Sequence, residues 1–185
     1  MTAIDGSAAA VTGAASGIGR ALALELAARG CDLALADRDE AGLQSVAAEI
    51  GRDARRKVTT YRVDVADIQQ IQEFATAATA AHPKLNIVIN NAGVALLGQF
   101  NEVEQAQMEW LFDINFWGVV HATRAFLPHL AKKYNPDMDV IVTSGRPLRQ
   151  ELPDGAKFWT KPWAPLDVIR EAEKMSLAWS HVGEA

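Results

Sequence analysis

The chain has 185 residues, 49% of them hydrophobic, with 18 basic against 23 acidic residues and a net charge of −5. That length suits one domain with a sizeable core, and the absence of any run of like charges excludes an electrostatic footprint for nucleic acid or an anionic membrane. A single cysteine, Cys31, excludes an internal disulfide and a multi-cysteine zinc site, and no stretch approaches the roughly 18 apolar residues of a membrane span, so a cytoplasmic protein without a membrane partner is expected.

In chain order, short apolar runs alternate with segments of helical period, the pattern of a parallel sheet covered by helices. Strands are expected at 7–13, 32–37, 57–65, 85–90, 139–144 and 156–161. Helices are expected over "GIGRALALELAARG", over "EAGLQSVAAEIG" with its terminal glycine, and over "DIQQIQEFATAATAAH", which Pro83 stops. Asp67 with Gln70 three residues on approximates a capping box. A long helical region runs from about Glu102 to Tyr134, broken near Asp113, and a last helix spans roughly Pro165 to His181. The pattern predicts an α/β fold, a single three-layer, doubly wound domain over 1–185 with six parallel strands in the order 3-2-1-4-5-6.

The first strand opens into a helix through Gly13-x-x-x-Gly17-x-Gly19. Such glycines permit a tight turn and a close backbone approach, so that a pyrophosphate can sit on the unpaired N–H groups of the helix. Asp37 closes the second strand 18 residues past Gly19, where an acid can hydrogen-bond ribose hydroxyls. Asp64-Val65 closes the third strand and Asn90-Asn91-Ala92-Gly93 the fourth. All four ends fall on the carboxyl edge of the sheet, where such folds bind ligands.

On these motifs, residues 7 to about 133 resemble the N-terminal part of a short-chain dehydrogenase/reductase, a Rossmann-like fold. The resemblance implies a dinucleotide cofactor held by Gly13, Ser16, Gly17, Ile18, Gly19, Asp37, Arg38, Asp64, Val65, Asn91, Ala92 and Gly93. Asp37 favours NAD, because a carboxylate repels a 2′-phosphate, while Arg38 beside it leaves NADP open. "DINFWGVVHATRAFLPHL" is similar to the helix carrying the family's active-site asparagine, here Asn115, and implies a homodimer through the 110–130 helix.

The chemistry is incomplete by the same comparison. The family's tyrosine is followed four residues later by a lysine, whereas Tyr61 and Tyr134 are followed by Val65 and Met138. Of the catalytic residues only Asn115 and Ser144 stand as vestigial candidates, and the best match to the family's serine is Gly145. Residues from about 136 to 181 resemble the end of a response-regulator receiver domain, with Thr143 and the Lys161-Pro162 pair matching its switch hydroxyl and lysine. The phosphoacceptor aspartate is missing, and His82, His121, His129 and His181 lack metal-ligand spacing, so neither phosphotransfer nor a metal is expected. The reading is an engineered chimera, joined between about Ala131 and Asp139, with an NAD(P) cleft that is weak or unoccupied and no turnover. An active NAD(P)-dependent short-chain oxidoreductase is the first alternative, and a scaffold whose cleft is blocked is the second.

Overall fold

The two central strands form where small apolar residues follow one another, and the flanking ones where β-branched residues gather. In the computed structural model, which describes residues 4–53, 56–131, 141–144 and 157–160, β1 (Ala8–Thr12), β2 (Asp32–Asp37), β3 (Val58–Arg62) and β4 (Leu85–Ile89) run parallel in the order β3-β2-β1-β4. Alternation sends successive side chains to opposite faces, so each strand feeds two cores. Ala9, Val11, Leu33 and Leu35 join Leu22, Leu26, Leu43 and Ile50 of α1 (Gly17–Ala28) and α2 (Glu40–Asp53). On the other face, Ala8, Ala10, Ala34 and Ala36 meet Ile71 and Phe74 of α3 (Ile68–Ala81) and Phe126 of α5 (Gly118–Ala131).

The two faces are paved differently. Alanines on the α3 side leave depth that Phe74 and Phe126 fill, edge to face with ring centroids 5.3 Å apart. Truncating either ring to alanine would cost about 3–5 kcal/mol through the cavity left behind.

Local signals set the helix ends. Gly19, Leu22, Ala23, Leu26 and Ala27 form the buried stripe of α1, and Gly30, at φ +94°, ends it: Gly30 N–H donates to Ala27 O and Cys31 N–H to Leu26 O. At the start of α3, Asp67 Oδ1 accepts from the N–H groups of Gln69 (2.9 Å) and Gln70 (3.3 Å). Gln70 does not return to the backbone of Asp67 as a strict capping box would; its Oε1 accepts from Asp64 N–H at 2.9 Å and its Nε2 donates to Asp67 Oδ2 at 2.8 Å. Helix α2 runs through Gly51 to Asp53 rather than ending on that glycine. The long helical region is α4 (Gln105–Phe112), a π turn over Asp113–Trp117, and α5. The expected break near Asp113 is thus a widened turn, in which Gly118 N–H donates to Asp113 O five residues back.

The six-stranded sheet in the order 3-2-1-4-5-6 is not what the described residues form. The main sheet has four strands, and β5 (Ile141–Ser144) and β6 (Lys157–Thr160) make a separate parallel pair, Ile141 opposite Lys157 and Ser144 opposite Thr160. An apolar run marks a strand, but the ladder is made of backbone groups that every residue carries, so composition does not say which edge a strand joins. The helix expected at 165–181 lies outside the described residues. Among those described, no helix is long and apolar enough to cross a membrane.

Candidate functional site

At the carboxyl end of β1 the chain turns into α1 through a loop that only glycine can make. Gly13 and Gly17 are left-handed, at φ +67° and +54°. A Cβ on Gly13 would lie 2.8 Å from Ala92 Cα, and one on Gly19 would lie 2.0 Å from Gly13 O. Gly17 differs, since a Cβ there would meet nothing within 4 Å. The open space lies over the start of α1. There Ser16, the N-cap residue, is extended and its side chain makes no capping hydrogen bond, so among the described residues no side chain caps the first N–H groups of the helix. Ile18 beside them is 42% exposed.

What holds the loop comes from far along the chain. Asn91 Nδ2 donates to Thr12 O at 3.1 Å and Gly13 O at 3.2 Å, while Thr12 Oγ1 accepts from the N–H groups of Asn91 (3.0 Å) and Ala92 (3.1 Å). This lattice ties the ends of β1 and β4 together. Thr12, which in the sequence only opens the glycine-loop motif, is thus a structural member of the site, its hydroxyl buried.

Asp37 clamps the loop from the other side. Its Oδ2 accepts from Ala15 N–H at 3.0 Å and its Oδ1 from Asp39 N–H at 3.0 Å. Beside it opens a cleft of about 580 Å³ lined by Asp37, Arg38, Asp39, Arg62, Asp64 and Gln70. Arg38 is largely exposed and stands 3.7 Å from Asp64 Oδ2. Asp64 also accepts from Ala66 N–H at 3.0 Å, while Val65 is buried against the α3-side core. Arg62 was absent from the expected set, because only the β2–β3 register reveals that it stands opposite Asp37.

The remaining residues divide. Asn115, in the π turn, accepts from Val94 N–H through Oδ1 at 2.8 Å and donates through Nδ2 to Val94 O at 2.7 Å. Both ends of its amide are therefore spent on one backbone residue just past Gly93, whose own Cβ, if present, would lie 3.2 Å from Asn115 Oδ1. Tyr61 is turned to the α3 side, its ring 5.1 Å from that of Phe74. Ser144 ends β5; Tyr134, Lys161 and Pro162 lie outside the described residues. Among the described residues no group of acids, histidines and cysteines could hold a metal. Cys31, at the opposite end of β2, is pushed up to about 12 by burial and then by Asp32, which leaves it a packing residue.

The arrangement can therefore hold an anion on the α1 N-terminus and a polar ring system beside Asp37 and Arg38. The family model for "short chain dehydrogenase" matches residues 7–146. The oxidoreductase-named protein SadH of Mycobacterium tuberculosis is 40% identical over 130 residues, which are 70% of this chain and 47% of SadH. A short-chain dehydrogenase/reductase of Burkholderia phymatum, crystallised with NAD, is 37% identical with a TM-score of 0.72, covering 78% of this chain and 50% of that one. An alcohol dehydrogenase of Thermococcus sibiricus, crystallised with 5-hydroxy-NADP, is 28% identical with a TM-score of 0.69, covering 74% and 57%. This chain spans about half the length of SadH.

These findings overturn the chimera. The family match continues through residue 146, past the expected junction between Ala131 and Asp139 and across β5. Nothing in the comparisons supports a receiver segment. The likeness to a receiver rests on Thr143 near the end of a short strand and on Lys161-Pro162 after the next, and a hydroxyl or a lysine at a strand end is a feature that parallel α/β sheets share whatever their chemistry. The reading of a cleft without turnover falls with it, since the matched family and relatives are dehydrogenases and oxidoreductases.

Proposed function

The chain belongs to the short-chain dehydrogenase family, and from that premise we propose that it serves an NAD(P)-dependent oxidoreductase, carrying the half of the site that grips the dinucleotide. The observation that carries the reading is the uncapped start of α1 above Gly13, Gly17 and Gly19. Its uncapped N–H groups would donate to the pyrophosphate, with Ser16 and Ile18 at the rim. The clamped Asp37 carboxylate retains lone pairs for ribose hydroxyls, and Arg38, Asp64 and Val65 frame the adenine end. Asn91 keeps the loop in place, Ala92 and Gly93 allow close approach, and Asn115 fixes the loop after β4 at Val94. The residues present fit the cofactor, with NAD favoured by Asp37 and NADP open through Arg38.

When bound, a nicotinamide dinucleotide supplies or accepts a hydride at the carbon of an alcohol or carbonyl substrate. The oxygen of that substrate must then gain or lose a proton, which calls for a positioned acid or base. Tyr61 faces the core against Phe74 and so is turned away from that part.

Calorimetric titration with NADH and then NADPH tests the reading. Binding at about the micromolar level, lost in Asp37→Ala, supports it and leads to turnover assays with simple carbonyls and alcohols. A protein that melts cooperatively yet gives no heat with either nucleotide overturns it.

A second copy is the proposed partner of the α4–α5 surface, where Phe112, Phe116 and Trp117 are all about half exposed. Light scattering of wild type against Phe116→Asp reads that directly.

A further inference from the structure

Asp37 does not face its cleft alone. Arg62 is its registered partner across the β2–β3 ladder, and registered residues in a parallel pair point to the same face. That face is the α1–α2 side: Leu35, two residues before Asp37, is buried there, and Thr60, two before Arg62, accepts from Gln44 of α2 at 3.1 Å. Asp37 and Arg62 also line the same cleft.

The charges around that cleft are unequally committed. Asp37 accepts from Ala15 and Asp39, Asp39 accepts from Gly42, and Asp64 accepts from Ala66 while facing Arg38. Arg62 is exposed and, among the described residues, makes no ion pair.

We propose that Arg62 sets how far this cleft discriminates between dinucleotides, by offering an uncommitted guanidinium to a 2′-phosphate beside the carboxylate that would otherwise repel it. The proposal rests on the cofactor reading above. A guanidinium binds phosphate oxygens through two parallel charge-assisted hydrogen bonds, which a ribose hydroxyl cannot match. Without Arg62, three acids (Asp37, Asp39 and Asp64) would face Arg38 alone, itself already beside Asp64. The arginine therefore matters for the phosphorylated dinucleotide and little for the other.

The experiment is calorimetric titration of the full chain with NADH and NADPH, for wild type, Arg62→Ala, Arg62→Gln and Arg62→Lys. The expected result is a roughly tenfold loss of NADPH affinity in Arg62→Ala and Arg62→Gln, with NADH held within about twofold. Arg62→Lys recovers part of the loss, and about 0.5 M salt shrinks the NADPH difference. Arg62→Gln keeps the long stem, so a packing defect confined to Arg62→Ala shows as a lowered melting temperature in that variant alone. Equal losses for both nucleotides, no loss, or a wild type that takes NADH and rejects NADPH overturns the role of Arg62 and leaves the cofactor reading standing. A wild type that binds neither nucleotide overturns both.

Discussion

Helices α1 and α3 both leave the carboxyl edge of one sheet, yet their first turns are built on opposite plans. The start of α3 is sealed from within: Asp67 takes two of its N–H groups and Gln70 secures both Asp67 and the preceding Asp64. The start of α1 has a serine in the same position that caps nothing. Its loop is steadied from outside instead, by Asp37 of β2 on Ala15 and by Asn91, just past β4, on the carbonyls of Thr12 and Gly13. A helix end that caps itself contributes stability and has fewer donors to spare. One that is held by its neighbours keeps both its shape and its donors, which is what an anion site requires.

Four substitutions test that contrast. The largest effect is expected at Gly19→Ala, whose new Cβ would fall 2.0 Å from a backbone oxygen. Stability should drop by about 2–3 kcal/mol, and NADH affinity by about a hundredfold or more, read by melting and calorimetry on the same sample. Next comes Ser16→Asp, which gives α1 the seal that α3 has. Its melting temperature should hold or rise while affinity falls about tenfold, because the carboxylate would occupy the anion's place. If affinity survives, the open N-terminus is not where the dinucleotide binds.

Asp67→Ala performs the reverse operation on α3. The melting temperature should fall by about 3 °C, with NADH affinity unchanged within about twofold. Hydrogen bonds, first from the Gln70 side chain and then from the backbone of Gln70 and Gln69, hold the Asp67 carboxyl below its ordinary value of 3.8. The cap is therefore fully present above pH 3.8 and lost as the pH falls through the lower folded value, so the two proteins should converge in strong acid. The smallest effect is expected at the other end of α3, where His82 is 2% exposed and bonded to Thr59. Burial, reinforced by Lys57 and opposed by Asp32, holds its pKa below 6.5. The unfolded chain then takes up its proton first on acidification, so stability falls as the pH drops below 6.5. His82→Gln should flatten that slope in urea melts at successive pH values, and an unchanged slope would place the acid sensitivity elsewhere.

The legible parts were those decided by neighbours in sequence. Alternating apolar runs gave β1 to β4, a stripe at helical spacing gave α1, and glycines at 13, 17 and 19 gave the turn. Illegible were the contacts that cross the chain: Thr12 with Asn91 is separated by 79 residues, and Asn115 with Val94 by 21. The sequence marks Asp37 as a cofactor ligand, but its two hydrogen bonds to backbone depend on how β2 lies beside the loop. The same limit explains two of the corrected readings. Assigning β5 and β6 to the main sheet, and reading a foreign origin into the tail, both took a local pattern as evidence of a distant partner.

The π turn has a consequence for how the chain can change. Counted along the polypeptide, it is one surplus residue: Gly118 reaches back five positions where an α-helix reaches four. A single deletion within 113–117 would allow unbroken α-helix between α4 and α5, and the amide at 115 would rotate away from Val94. What the segment has to keep is its length.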